Sequence, residues 1–339
     1  MPCHSGLPAI IRSGVGRLTA ILHFARRVQD LPAVNLSKSY SRITFRSPAS
    51  CMKPAHLLPW SMRRSSILWI AAVVLTLATA IFQRITGPSY PIRDHTAIGG
   101  KDIAYTLERS HPGEGDAPVR VVVPDRSVEG LLYWKRHKTD DAWKLVVMHR
   151  RGDTLVAALP HQPPAGKLEY RVNLSDTGAA VLLPEKSPAV LRFRGDVPTP
   201  VLILHIAVIF AAMLLSTRTG LEVLAAAPRY AVLTQWTVWM LFAGGLVLGP
   251  IVQKYAFDAF WTGWPFGTDL TDNKTAIAFA GWMAAAFALQ RSKHPGRWVA
   301  GAAILLIVVF LIPHSLLGSE IDYEAAERTR TGQTFPPRP

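Results

Sequence analysis

Five long apolar runs constrain this chain of 339 residues more than any other feature of its sequence. A helix that crosses the hydrocarbon core of a bilayer, about 30 Å thick, needs about 20 mostly apolar residues at about 1.5 Å per residue. The runs approach or reach that length; they cover residues 67–82, 200–216, 230–252, 275–289 and 299–317. The content of charged residues, 18% against about 25% in soluble domains, agrees with this interpretation. The sequence therefore predicts a multi-pass α-helical membrane protein with about five spans.

The basic residues near the ends of these runs predict how the chain is oriented. Short cytoplasmic loops carry an excess of Lys and Arg close to the helix ends. With the basic start of the chain inside, the loops that fall inside carry Arg218, Arg229, Arg291, Lys293 and Arg297. The loop 253–274 is rich in aspartate and falls outside, together with the tail from residue 318 onwards. We therefore expect a protein embedded in the lipid bilayer of a bacterial inner membrane, with a cytoplasmic N-terminus and a periplasmic C-terminus.

The first apolar run has the parts of a secretory signal. Met62 is followed by two arginines, an apolar run of about 16 residues, and the small residues Ala78 and Ala80. This run is longer than most cleaved signals and shorter than most spanning helices. We expect residues 62–83 to form an uncleaved signal-anchor, with a cleaved signal peptide as the alternative. Either one delivers the following segment outside the cytoplasm.

Residues 1–61 carry half of the net charge of +14, because eight Lys or Arg residues stand there against Asp30 alone. We expect a disordered basic extension or an over-long gene model. An organelle transit peptide, also rich in Arg and poor in acids, is the alternative. The remaining chain is close to balanced, so no nucleic-acid partner is expected. The two cysteines, Cys3 and Cys51, exclude a disulfide scaffold and a Cys-based zinc site.

Residues 84–198 change from apolar blocks to short alternating runs separated by turn-forming residues. Seven such runs predict strands at 119–123, 130–136, 143–148, 154–159, 168–174, 179–183 and 190–193. This number and spacing of short strands are typical of an antiparallel β-sandwich. The predicted core members are Leu132, Trp134, Leu145, Val147, Val156, Leu168 and Tyr170.

Within this segment, residues 152–178 (GDTLVAALPHQPPAGKLEYRVNLSDTG) show a further pattern. A strand ends at Pro160, a Pro/Gly corner follows at 163–166, and a strand with Tyr170 ends near the Asp-x-Gly of 176–178. The pattern resembles the later strands of bacterial extracytoplasmic immunoglobulin/fibronectin-III-like modules, and the resemblance covers about residues 115–195. It implies an immunoglobulin-like fold. Since such modules mostly bind, space or brace, it implies a binding role rather than a particular chemistry.

The predicted fold is thus a multi-pass α-helical membrane protein with an inserted all-β sandwich domain outside the cytoplasm. Its segments are a basic extension at 1–61, a signal-anchor at 62–83, the sandwich at 84–198, a four-helix transmembrane bundle at 199–317 and an extracytoplasmic polar tail at 318–339.

Two histidines, His205 and His314, lie inside apolar runs. At about 1.5 Å per residue they fall roughly 7–8 Å and roughly 5 Å below the outer surface. Two imidazoles at similar depth are an arrangement that suits haem b or a metal ion. The alternative is ordinary hydrogen bonding to a neighbouring helix, loop or headgroup.

The loop 253–274 combines six aromatic residues with a polar end. The aromatic residues are typical of a belt at the membrane interface. Oxygen ligands suited to a divalent cation are Asp269, Asp272 and Asn273, with Glu320 and Asp322 on the same side of the membrane. The spacing is not that of an EF-hand. The alternative is a hydrogen-bonded cap, in which Asp272 or Asn273 begins the fourth span.

The chain has no glycine-rich nucleotide loop, no Gly-x-Ser-x-Gly elbow and no His-Glu-x-x-His motif, so we do not expect an enzyme. We expect an anchor or accessory subunit whose sandwich binds a protein partner outside the cytoplasm. The first alternative is a redox or metal-binding membrane protein that uses His205 and His314. The second is a small transporter, which the lack of obvious charges inside the predicted spans disfavours.

Overall fold

The computed structural model describes residues 60–225, 229–313, 318, 320–325 and 327, which form a helical part and a β domain. The helical part consists of α1 (Trp60–Thr86), α2 (Thr199–Leu224), α3 (Tyr230–Leu241), a π-helical segment (Phe242–Leu248), α4 (Gly249–Phe257), α5 (Leu270–Arg291) and α6 (Pro295–Leu311). Residues 1–59 of the predicted extension, with both cysteines, lie outside the described residues.

Three helical stretches are long and apolar enough to cross a membrane. They are Arg64–Thr86, Thr199–Leu224 and Tyr230–Phe257, the last of which runs from α3 through the π-helical segment into α4. Helix α6 is apolar but shorter, with 17 residues. Helix α5 has 22 residues and begins with a polar turn. The chain therefore combines apolar helices of membrane-spanning length with a β-sheet region.

Contacts between helix ends show that α1 is antiparallel to α2 and parallel to α6, and that α5 is antiparallel to α6. At the start of α1, the Arg64 guanidinium donates to the Ala225 carbonyl just after α2, at 2.5 Å. At the other end of α1, Gln83 donates to the Phe310 carbonyl near the end of α6, at 2.8 Å. Lys274, in the first turns of α5, donates to the Ile312 carbonyl at 2.7 Å. The ends of α1 and α6 and the start of α5 therefore lie at the same end of the bundle.

Most boundaries of the predicted runs differ from those of the helices, and two of these differences change the assignment of a residue or of a span end. The second run was predicted to end at residue 216, but α2 continues to Leu224, so Arg218 lies within the helix instead of in a loop. The last run was predicted to reach residue 317, but α6 ends at Leu311. Ile312 is extended and precedes Pro313, and a proline disfavours helical backbone at the residue before it. Residues 314–317 lie outside the described residues.

The β domain contains a hairpin and two sheets. Its strands are β1 (Ile92–Ile98), β2 (Lys101–Leu107), β3 (Ser110–Pro112), β4 (Ala117–Val122), β5 (Glu129–Arg136), β6 (Lys144–Val147), β7 (His149–Arg151), β8 (Thr154–Leu159), β9 (Lys167–Ser175), β10 (Ala180–Leu183) and β11 (Ala189–Arg194). Strands β1 and β2 form the hairpin, one sheet has the order β3-β11-β9-β5-β6 with β10 also paired to β9, and the other has the order β4-β8-β7. All pairs are antiparallel except β3 with β11.

Both sheets and the hairpin share one apolar core, with Leu132, Leu168, Tyr170 and Phe193 among its fully buried members. The Tyr170 hydroxyl donates to the Glu108 carbonyl at 2.6 Å, which satisfies the only polar atom of that buried side chain. All seven predicted strands occur within two residues of their predicted ends. Strands β1, β2, β3 and β7 were not predicted.

The predicted core was right for Leu132, Leu168 and Tyr170 and wrong for two residues of β6. Leu145 and Val147 are 50% and 54% exposed, whereas Val146 packs against the core. Because three successive residues of this strand are apolar, the sequence does not reveal which alternate set points inward. The same ambiguity affects β8, where Leu155 is buried and Val156 only half-buried. Trp134 is partly buried at the edge of the core.

Candidate functional site

The side of the larger sheet that faces away from the core carries a patch of apolar side chains. Residues directly opposite in an antiparallel pair lie on the same face. Leu145 is opposite Tyr133, which is opposite Arg171. In the next row Val147, Leu131, Asn173 and Leu182 are aligned across β6, β5, β9 and β10. We call this patch the outer sheet face; it comprises Leu131, Tyr133, Trp143, Leu145, Val147, Arg171, Asn173, Ala180 and Leu182.

A groove of about 630 Å³ crosses the outer sheet face and is lined by Tyr133, Trp143, Arg171, Asn173, Ala180 and Leu182. The Lys135 ammonium lies 5.6 Å from the centre of the Trp143 ring. Contiguous exposed apolar surface of this kind marks interaction sites, since a monomer gains nothing by leaving it in water. The arrangement suits binding of another molecule and holds no pair of groups arranged for acid–base or nucleophilic catalysis.

The β domain is attached to the helices by direct contacts at the end of β11. The Gly195 amide donates to the Ala256 carbonyl near the end of α4, at 2.9 Å. A Cβ atom at Gly195 would lie 2.3 Å from the Tyr255 carbonyl oxygen, so only glycine permits this approach. The Arg192 guanidinium lies 3.7 Å from the centre of the Phe257 ring. Burial lowers the pKa of Arg192 to about 10, although the charges of Asp269 and Glu320 oppose this shift.

The residues after α6 also bind the β domain. We call residues 320–325 and 327 the C-terminal strap. The Tyr323 hydroxyl accepts from the Lys167 amide at 2.9 Å and donates to the Lys167 carbonyl at 3.1 Å. Glu320 bridges Lys138 and Lys167, with 2.8 Å to the Lys167 ammonium. Glu327 accepts from Arg136 at 3.0 Å. The strap is therefore held on the β domain by three side chains, those of Glu320, Tyr323 and Glu327.

The charge of Glu320 is stabilised by these contacts. Partial burial disfavours ionisation, but hydrogen bonds from Lys138 and Lys167 and the charges of both lysines outweigh it and lower the pKa of Glu320 to about 2. A cleft of about 290 Å³ remains between the strap and the β domain beside these lysines.

The polar end of the loop 253–274 forms a cap over the start of α5. Asp272 accepts from the backbone amides of Thr262 and Gly263 at 2.7 and 3.0 Å and from the Gln253 side chain at 3.1 Å. Asn273 accepts from the Trp264 amide at 2.7 Å. The N-cap is Asp269, which accepts from the Thr271 amide at 2.7 Å, rather than the expected Asp272 or Asn273. These side chains bind their own loop.

The predicted divalent-cation ligands are therefore engaged in different contacts. Asp272 and Asn273 hold the loop, Glu320 binds two lysines, and Asp322 accepts from the Ala325 amide at 2.9 Å. Across the described parts of the chain, no group of three or more His, Cys, Asp or Glu residues is placed to hold a metal ion. A metal bound by Asp269, Asp272, Asn273, Glu320 and Asp322 stays a prediction.

His205 lies on α2 against the π-helical segment. Its Nδ1 is 3.1 Å from the Gly244 carbonyl, which also accepts from the Gly249 amide. π-Helical turns are frequent at functional sites, and this one presents a backbone carbonyl to the imidazole. His314 lies outside the described residues, so the pairing of the two histidines as ligands of haem b or a metal also stays a prediction.

A buried ion pair in α2 was missed by the sequence analysis. Arg218 and Glu222 form a salt bridge one turn apart, and both residues are only 3% exposed. The Arg218 guanidinium lies 5.3 Å from the centre of the Trp69 ring on α1. The i,i+4 spacing of opposite charges, followed by the apolar residues 223–225, is the sequence signal that could have placed both residues within the helix.

The fold and the site together define a class: a protein with apolar helices of membrane-spanning length and a β domain that exposes an apolar sheet face. Comparison of the chain with models of known protein families and with curated protein sequences gave no match.

Proposed function

We propose that this protein is an anchored binding protein of the bacterial inner membrane, whose extracytoplasmic β domain binds a partner protein through the outer sheet face. The exposure of Leu145 and Val147 beside Trp143 carries this proposal, because burying such a surface against a partner is favourable. The fixed attachment of the β domain supports it, since the domain presents the face in one orientation. The helices act as the anchor.

We place the β domain outside the cytoplasm on a topology of five spans, in which α5 and α6 are the last two. Helices α5 and α6 extend about 33 Å and about 26 Å at about 1.5 Å per residue, comparable with the hydrocarbon thickness. The end of α4 and the C-terminal strap both contact the β domain. The starts of α1 and α3, at the opposite end of the bundle, carry Arg64 and Arg229, as the positive-inside rule requires of the cytoplasmic side.

The strand order supports an immunoglobulin-like assignment of the β domain. Strands β4, β8 and β7 correspond to B, E and D of that fold, and β11, β9, β5 and β6 correspond to G, F, C and C′. The buried Tyr170 lies on the strand that corresponds to F.

Helix α1 supports the choice of a retained anchor over a cleaved signal. Its Arg64 and Gln83 donate to carbonyls at the ends of α2 and α6, and its Trp69 covers the buried Arg218. Removal of α1 would take away the Trp69 ring that covers Arg218, and an uncovered charge within a membrane span is costly.

The proposal is tested by photo-crosslinking in living cells of the source bacterium. A photoreactive amino acid replaces Leu145 on the outer sheet face or, as the control, the exposed Arg120 on β4 of the other sheet. We expect the same discrete protein adduct from position 145 in repeated experiments and none of it from position 120. The absence of any discrete adduct from positions 143, 145 and 147 would refute the proposal.

A redox or metal-binding role remains the second candidate, and the contact of His205 with the π-helical segment favours it. An optical spectrum and metal analysis of the purified protein test it. A haem Soret band or a stoichiometric metal that His205→Ala removes supports this role, and the lack of both rejects it.

A further inference from the structure

The groove of the outer sheet face has a cationic side chain at its centre. The register places Arg171 between Tyr133 on β5 and the end of β10, and Asn173 between Leu131 and Leu182. The surrounding members of the outer sheet face are apolar or aromatic. An arginine and an amide in the middle of such a surface are well placed to orient a ligand, while the apolar rim supplies contact area.

Arg171 has no acidic partner within the described part of the chain, and its half-buried side chain includes a buried Nε without a hydrogen-bond acceptor. Two other arginines of the same domain bind acceptors within it. Arg136 donates to both oxygens of Asp141 at 2.6 and 2.9 Å. Arg150 donates to the carbonyls of Val123, Asp125 and Val128. A partly desolvated guanidinium without an acceptor favours binding of a carboxylate, which matches its planar set of donors.

The nearest acidic side chain on this face does not fill that role. Glu169 lies one row along β9, and its carboxylate contacts His137 at 2.9 Å and Lys135 at 3.9 Å. The Lys135 ammonium, which also lies over Trp143, adds positive charge beside the groove. The groove is therefore complementary to a negatively charged group with apolar neighbours.

The direction of the groove determines the shape of its occupant. Its lining residues come from β5, β9, β10 and the residue before β6, so the groove crosses four strands. At about 4.8 Å between strands this is about 14 Å, the length of four to five extended residues at about 3.3 Å each. A segment lying across the strands fits this groove, and a strand added beside β6 does not.

We infer that the groove binds an extended segment of the partner protein in which an Asp or Glu carboxylate is flanked by apolar side chains. Arg171 and Asn173 bind the carboxylate and its neighbouring backbone, while Trp143, Tyr133 and Leu182 contact the flanking side chains. This inference rests on the proposed function and names the chemistry that the partner presents.

The test selects binders from a random octapeptide display library on the full-length protein in nanodiscs. We expect enriched peptides to carry one Asp or Glu with apolar residues on both sides. Replacing that residue by Asn or Gln in a synthetic copy should weaken binding at least about tenfold, since charge-assisted hydrogen bonds are lost. Arg171→Gln should weaken the acidic peptide equally and leave the amide peptide unchanged. Arg151→Gln, at an exposed arginine of the other sheet, is the matched control and should change neither.

A thermal melt of each variant shows whether weaker binding comes from unfolding. Arg171→Lys is a second control for folding, because it keeps the positive charge at this position. Enriched peptides without an acidic residue, binding that survives Arg171→Gln in a folded protein, or no enrichment at all would overturn the inference. If crosslinking from position 145 still captures a partner in that case, the proposed function stands and only the carboxylate chemistry is wrong. If both experiments fail, both are wrong.

Discussion

The hydroxyl of Tyr323 provides a quantitative test of the C-terminal strap. It is the acceptor for the Lys167 amide and bonds the carbonyl of the same residue. Tyr323→Phe keeps the ring, which is packed against the Arg136 guanidinium at 5.4 Å, and removes only the oxygen. The Lys167 carbonyl keeps a second donor in the His137 amide at 3.0 Å. The change therefore leaves chiefly the Lys167 amide without a hydrogen-bond partner.

Leaving a buried amide without its acceptor costs about 1–3 kcal/mol. Because about 1.4 kcal/mol corresponds to a factor of ten, local opening at Lys167 should become about 5- to 150-fold more frequent. Hydrogen-exchange mass spectrometry of the full-length protein in nanodiscs, on peptides that contain Lys167, measures this change. Tyr133→Phe on the outer sheet face is the matched control and should leave the exchange at Lys167 unaltered. Unchanged exchange at Lys167 in Tyr323→Phe would refute the docking of the strap on β9.

Three further predictions concern the strap, the sheet register and the attachment of the β domain. The pKa of Glu320 is lowered from 4.5 to about 2, so the stability that its ionised form contributes is complete above pH 4.5 and is lost as the pH falls towards 2. Hydrogen exchange at Lys167, corrected for intrinsic rates, should therefore be constant from pH 7 to 5 and rise at lower pH. Val146→Ala should lower the melting temperature of the protein, with a cost of about 1–2 kcal/mol, whereas Leu145→Ala should change the stability by less than about 0.5 kcal/mol; equal effects would contradict the register. Gly195→Ala should destabilise the protein by about 1–3 kcal/mol through the clash with the Tyr255 carbonyl, measured as a lower melting temperature, whereas Gly115→Ala, with open space around it, should not.

The positions of helices and strands followed from the sequence because each left a long or regular pattern. Alternation at intervals of two residues located the seven central strands, and the apolar runs located the helices. The pattern did not locate the core where successive apolar residues fit either face of a strand. In β6 the apolar residues 145–147 fit either face, and only the pairing with β5 decides that Val146 points to the core.

The candidate site depended on contacts between distant parts of the chain, and local patterns do not contain these. Tyr323 and Lys167 are separated by 156 positions, and nothing around either residue indicates the other. Asp272 was recognised as an oxygen donor, but whether it bound a cation or its own loop depended on the fold of residues 258–269. Arg218 was assigned to a loop because charge normally ends a span, and only its salt bridge to Glu222 allows it within α2.

The central claim is that the β domain lies on the side of the membrane opposite to the loop between α5 and α6. Single cysteines at Asp140, in the exposed turn after β5, and at Lys293, between α5 and α6, report this directly in a variant with Cys3 and Cys51 changed to Ser. In cells whose outer membrane has been opened, a membrane-impermeant maleimide should label position 140 and should label position 293 only after the inner membrane is broken. Labelling of both positions under the same condition would contradict the account.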